Sequence, residues 1–407
     1  MSLRTSLSLL AFAGSLAGLP AQAQDAPRPA RGPAEEPMRE APRPRAPDVA
    51  VPSATALPAV AAKTDAKSGA EAGAAPALGG VLAGSPGWRT YRARFVTEQG
   101  RIVDTANGAI SHSEGQGYGM LLAVAADDRA SFARIWGWTR ANLMVRTDEL
   151  LAWRWAPDKR PAVADMNDAS DGDLLVAWAL TEAAEAWGEG AYRTAARRIA
   201  VEVGRKAMLF KDPHGPLLLP AAAGFSAAER PDGPLVNLSY WIFPAFQRLD
   251  IVAPEYDWSG LIRSGTDLLR QARFGPSRLP TEWISMKAEP RPADGFPALF
   301  SYNAIRVPLY LAWAGLGRGD DYAPFRTLWD TADGRLPIVE TRDGRPVEWL
   351  TEKGYGALSA LVACAATGRA VPEDFETVQD GENYYPTTLH LLSMIAVRTR
   401  YPSCLKR

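Results

Sequence analysis

The chain has 407 residues, of which 47% are hydrophobic, and a formal net charge of -1. That length and apolar content support a large buried core. The near-neutral balance excludes nucleic acid as a partner, because phosphate binding needs a basic excess.

Residues 1–23 read as a secretory signal peptide. Arg4 precedes the apolar run LSLLAFAGSLAGL, and AQA follows as a small-x-small cleavage site. The run is short for a membrane span, and no later segment is long and apolar enough for one. The mature chain is therefore expected to be periplasmic or secreted, without a transmembrane segment, and monomeric. Residues 24–84 (APRPARGPAEEPMREAPRPRAPD and onward) are rich in Pro and Ala and lack any apolar period, as expected of a disordered linker. The catalytic domain is expected over 85–407.

From Trp88 the pattern is helical. Trp88, Tyr91 and Phe95 fall at i, i+3 and i+7, and GYGMLLAVAADD, RASFARIWGWTRANL, DLLVAWALTEAAEAW, AYRTAARRIAVEVGRKAM and LSYWIFPAFQRL keep helical spacing. So do IRSGTDLLRQA, YNAIRVPLYLAWAG, YAPFRTLWDTA, YGALSALVACAATG and YPTTLHLLSMIAV, with turn clusters such as HGP, PDG and TRDGRP between them. LLLP and PIVET are the strongest hints of short strands. The expectation is one large all-α domain of paired helices. Cys364 and Cys404 are the only cysteines, and the sequence leaves open whether they form a disulfide or stay free. His112, His214 and His390 lie far apart, so no metal site is expected.

Two acidic stretches stand out. In NDASDGDLLVAW, Asp168, Asp171 and Asp173 crowd the start of a helix. Asp171 is expected to cap it, and one cap needs only one carboxylate. In ISHSEGQGYGM, Glu114 stands before Gly115, Gly117 and Gly119, which would leave its surroundings bare, while Ser111 and Ser113 would cap the helix. A dinucleotide loop is excluded because no strand precedes it. A bare carboxyl and a second acid are what glycosidic cleavage needs: one protonates the leaving oxygen while another assists water or attacks.

SEGQGYGM, ASDGDLLVAW and SYNAIRVPLYLAWAG, in this order, resemble glycoside hydrolase family 8, in particular the periplasmic endoglucanases of bacterial cellulose-synthesis systems. LAWRW, LVNLSYWIFP and NYYPTTLHLL extend the likeness from about Trp88 to about Arg398. The resemblance implies an (α/α)6 barrel with an open substrate cleft, and inverting cleavage of β-1,4-glucan without a cofactor. It implies that Glu114 is the proton donor and that Asp171 is the second central carboxylate. Asn303 departs from the pattern, since one branch of the family carries its general base, an Asp, at that place. An amide orients water but takes no proton. Asp171 is therefore expected to accept the proton itself, with Asp168, Glu282 and Asp294 as further loop acids near the cleft. Trp153, Tyr240, Tyr302, Arg306 and Tyr384 are expected to bind substrate, the aromatics through flat sugar-facing rings and Arg306 by orienting a carboxylate or bonding hydroxyls. A partnership with a cellulose synthase system follows from the subfamily likeness. Two rival readings are a glucan-binding protein weakened by Asn303, and a family hydrolase acting on xylan or chitosan.

Overall fold

The computed structural model describes residues 75–330 and 334–405; the leader and most of the linker lie outside them. The described residues contain eleven α-helices. These are α1 (Pro86–Phe95), α2 (Ser113–Ala125), α3 (Arg129–Asn142), α4 (Ser170–Trp187), α5 (Gly190–Lys206) and α6 (Phe243–Leu249). After them come α7 (Trp258–Gln271), α8 (Arg306–Trp313), α9 (Gly319–Trp329), α10 (Gly356–Thr367) and α11 (Tyr384–Arg400). Each expected helical segment is present. LSYWIFPAFQRL, however, divides into a 3-10 turn over Leu238–Tyr240 and the short α6.

Burial separates the helices into two kinds. In α2, α4, α8 and α11 almost every residue is buried, polar ones included. A helix apolar on all sides belongs to an interior. By contrast α3, α5, α7 and α9 bury one stripe each; in α5 the stripe is Ala196, Ile199, Ala200 and Val203. The molecule is therefore helix on helix, an inner set covered by amphipathic ones.

Small antiparallel sheets decorate the loops. β1 (Ser111–His112) pairs with β2 (Arg154–Trp155), and β3 (Met208–Leu209) with β4 (Leu217–Leu218). β5 (Leu235–Val236), β6 (Ile284–Ser285) and β7 (Arg291–Pro292) form a second group. β8 (Leu299–Phe300), β9 (Leu336–Glu340) and β10 (Pro346–Leu350) form a third. LLLP and PIVET thus both contribute strands, but in different sheets, and β10 has no helical or strand signal of its own because four of its five residues are exposed.

One correction concerns the linker, and the structure also decides the open cysteine question. The linker does not run to residue 84: Leu78 and Leu82 are fully buried, Leu78 N–H donates to Glu182 at 3.0 Å, and Leu82 N–H to the Ala125 carbonyl at 2.6 Å. Two leucines beside a polar stretch make no visible period, so the sequence alone does not mark this boundary. Cys364 and Cys404 are bonded, with Cα atoms 6.1 Å apart, and the bridge closes a 40-residue interval that holds the C-terminal turn against α10.

In the chain-entropy picture a loop of that length stabilises by about 4 kcal/mol. Replacing Cys364 and Cys404 together by Ser should therefore lower the melting temperature by several degrees, measured by calorimetry; an unchanged midpoint would remove the bridge from the list of stabilising contacts.

Candidate active site

The glycines around Glu114 bring two helices together. A Cβ on Gly117 would lie 2.5 Å from the Leu175 Cβ, and one on Gly172 would lie 2.0 Å from the Ser113 Oγ and 2.8 Å from the Glu114 nitrogen. Each glycine therefore removes a side chain where α2 and α4 touch, and their first turns meet. Gly119 leaves room for Ile102, and Gly115 for the Tyr384 hydroxyl. The expected reason for these glycines, a bare surround for one carboxyl, is corrected: they set the helix separation that puts Glu114 beside Asp171.

The helix starts also differ from expectation. His112, not a serine, caps α2, its Nδ1 accepting the Gly115 N–H at 3.0 Å. Its Nε2 lies 3.7 Å from Asp104, which fits the neutral tautomer with the proton on that side. Pairing of β1 with β2 and the Ser113 N–H to Trp153 carbonyl bond (3.0 Å) anchor this start against LAWRW. α4 opens at Ser170 after Ala169, so Asp171 lies within the first turn and does not cap it.

The three aspartates have three separate tasks. Asp168 accepts the Ala222 N–H with both oxygens (3.0 and 3.2 Å) and lies 3.6 Å from Arg146. Asp173 is fully buried and accepts the Leu151 N–H at 2.8 Å; burial holds its carboxyl well above the usual range. Both tie loops to α4. Asp171 alone faces another functional acid.

That meeting is made by Arg306, the first residue of α8. One guanidinium nitrogen donates to Glu114; the other donates to Asn303 Oδ1 at 3.1 Å and to Ser239 Oγ at 3.1 Å, and reaches Asp171 at 3.4 Å. Asp171 also accepts the Gly172 N–H at 2.8 Å. The Arg306 side chain is 1% exposed and that of Asp171 3%, whereas Glu114 is 17% exposed. Water or a ligand thus reaches Glu114 most directly.

The electrostatics are uneven. Burial and the Glu114 charge push Asp171 up from 3.8 to about 7. Burial favours neutral Glu114 most strongly of any single effect, but Arg306, His112 and the Tyr118 hydroxyl together hold this carboxyl below its ordinary value. Two carboxylates this close to one arginine do not both ionise freely, and the opposite shifts favour a shared proton on Asp171 over Glu114. Asp171, expected as proton acceptor, is 3% exposed and has both oxygens engaged, by the Gly172 N–H and by Arg306, which places it poorly for taking a proton from water.

Of the other expected residues, Asn303 is partly exposed beside Arg306. Tyr302 is half-buried and its hydroxyl donates to Glu348 on β10 at 2.7 Å. Trp153 is half-buried and its indole N–H donates to Asp165 at 2.9 Å. Tyr240 is 4% exposed but close enough to feel the charges of Asp171, Arg306, Glu114 and Glu282. One expected substrate binder is corrected. Tyr384 has no exposed surface; its ring is enclosed by Tyr91, Phe95 and His112, so it supports the α2 cap and offers no sugar-stacking face. Arg306 takes the first of its two expected roles, orienting carboxylates through its terminal nitrogens.

Sequence reasoning missed several neighbours. Ser239 on Arg306 is one serine among many. Tyr385, whose hydroxyl donates to the Tyr302 carbonyl at 2.6 Å, was masked by its neighbour Tyr384. Phe225, Trp283 and Phe296 form a stack with ring centroids 5.5 and 4.8 Å apart, assembled from three loops that no local pattern connects.

The Asp171 shift has a direct consequence. Between its ordinary value of 3.8 and about 7 the folded state holds a proton that the unfolded chain has released, so this group makes stability fall as pH rises through that window. Asp171→Asn removes the penalty. Its melting temperature relative to the natural protein should therefore be higher at pH about 8 than at pH about 5, a comparison that thermal scans make directly; an equal offset at both would contradict the shift.

A family profile described as glycosyl hydrolases family 8 matches residues 76–399. The chain is 36% identical over 315 residues to a probable endoglucanase of Novacetimonas hansenii, covering 76% of this chain and 89% of that one. It is 40% identical over 256 residues to an endoglucanase of Cellulomonas uda, covering 62% and 69% respectively. Among solved structures, the endo-β-1,4-glucanase CMCax of Acetobacter xylinum superposes with a TM-score of 0.71 at 34% identity, over 80% of this chain and 99% of that one. The helical scaffold, the acid pair on one arginine and this match along the whole described domain lead to one conclusion: the chain belongs to glycosyl hydrolase family 8.

Proposed function

We propose that this protein is an endo-β-1,4-glucanase that cleaves internal bonds of cellulose-type glucan with inversion, on an (α/α)6 barrel whose inner helices α2, α4 and α8 supply the central groups. The observation that carries the reading is the pairing of Glu114 and Asp171 through Arg306, with Glu114 open to solvent. The names of relatives at 36–40% identity support the glucan substrate.

In this reading Glu114 protonates the glycosidic oxygen. A sugar seated against it excludes water and separates it from Arg306; both changes raise its proton affinity, and the proton held on Asp171 then favours Glu114. Asp171, left ionised, stabilises the positive charge that develops on the sugar ring. Asn303 orients the attacking water by hydrogen bonds. Tyr240 lies beside the same charges, while Trp153 and Tyr302 supply partly exposed rings at the edge of the site.

The leader lies outside the described residues, but the Cys364–Cys404 bridge suits an oxidising compartment, which supports export to the periplasm or beyond. Trimming of nascent cellulose next to a synthase is the cellular role that best fits an exported endoglucanase.

Purified protein should release reducing ends from carboxymethyl-cellulose, and Glu114→Gln should reduce that rate roughly 10²–10⁴-fold while leaving binding to the polymer in place. Binding without cleavage by the natural sequence would favour the glucan-binding alternative; cleavage of xylan or chitosan in preference to glucan would move the substrate class.

A further inference from the structure

Hydrolysis by inversion needs a carboxylate that takes a proton from water, and neither the Asn303 amide nor Asp171, 3% exposed and engaged on both oxygens, fits that part. Asp168 is closed off by the Ala222 N–H and Arg146, and Asp294 is fully occupied by Arg291 at 2.7 and 2.8 Å on the surface. Glu282 is different. It lies at the end of the loop entering β6, is partly exposed, and its Oε1 accepts the Asn303 backbone N–H at 2.8 Å. The Asn303 side-chain amide and the Ala304 N–H also face it. Because the Asn303 Oδ1 is turned to Arg306, its NH2 is the end left for Glu282. The order across the site is thus Glu114, Arg306, Asn303, Glu282. A guanidinium and an amide separate the two solvent-reaching acids, as a mechanism with a water between acid and base requires.

Resting on the glucanase reading, we propose that Glu282 is the general base of this enzyme, holding the attacking water together with the Asn303 amide. The water oxygen bonds to the anomeric carbon as one of its protons passes to Glu282. The bond from that carbon to the leaving oxygen breaks, and this oxygen takes the Glu114 proton. Solvent then returns a proton to Glu114 and removes one from Glu282. The charged and titratable groups facing Glu282 are Arg306, which favours its ionised form, and the Tyr240 phenol; burial opposes ionisation.

A simpler role also exists, since a carboxylate on the 303 and 304 N–H groups fastens the approach to α8. Glu282→Gln separates the two, because an amide oxygen still accepts those N–H groups but takes no proton. On a soluble cello-oligosaccharide we expect kcat to fall at least ~100-fold with KM little changed. The acidic limb of the kcat–pH profile should vanish, and added azide should restore turnover by forming a glycosyl azide of inverted configuration. Activity within about threefold of the natural enzyme would overturn the proposal, as would a loss that keeps the acidic limb and resists azide. Glu114→Gln assayed beside it separates the two levels. If that variant is inactive while Glu282→Gln is not, the base assignment alone fails; if the natural protein does not cleave the oligosaccharide, the glucanase reading fails with it.

Discussion

The architecture depends on one buried guanidinium. Arg306 has almost no exposed surface, and its donors reach Glu114, Asp171, Asn303 and Ser239, which come from four separate segments of the chain. Taking such a cation out of water costs several kcal/mol unless oxygens surround it. The acids do surround it, and removing either would leave charge uncompensated. The same interaction divides the acids into two kinds, because the arginine favours ionised Glu114 while burial and the Glu114 charge push Asp171 up to about 7.

Backbone proximity makes this arrangement possible. Gly117 and Gly172 let α2 and α4 touch at their first turns, and only there can the Glu114 and Asp171 side chains share one partner. A larger residue at either place would push the helices apart and lengthen every contact to Arg306. His112 and Tyr384 complete the support from the other side, through the cap on α2 and the ring packed against it. Tyr384, first expected to meet a ligand, therefore serves to hold the helix that carries the acid.

Around this fixed center the loops supply what is adjustable. Glu282, Asn303 and Tyr302 stand where loops enter β6 and α8, and the stack of Phe225, Trp283 and Phe296 is assembled from three such connections. Loops carried by a rigid scaffold can exchange one acid for another without disturbing the core. That freedom explains how an amide at position 303 is compatible with a family whose chemistry needs a base.

Helical periodicity, the acidic motifs and their order along the chain already determined the helix-rich class and the family likeness, and singled out Glu114, Asp171 and Arg306 as candidate site residues. Those features are local: a helix repeats every few residues, and a motif occupies consecutive positions. What each side chain faces is set by segments far apart in sequence, so only the folded chain decided that Tyr384 is core, that Asp168 and Asp173 fasten loops, that Cys364 meets Cys404, and that Glu282 touches Asn303. The proton on Asp171 belongs with these, because burial and a neighboring charge exist only after folding.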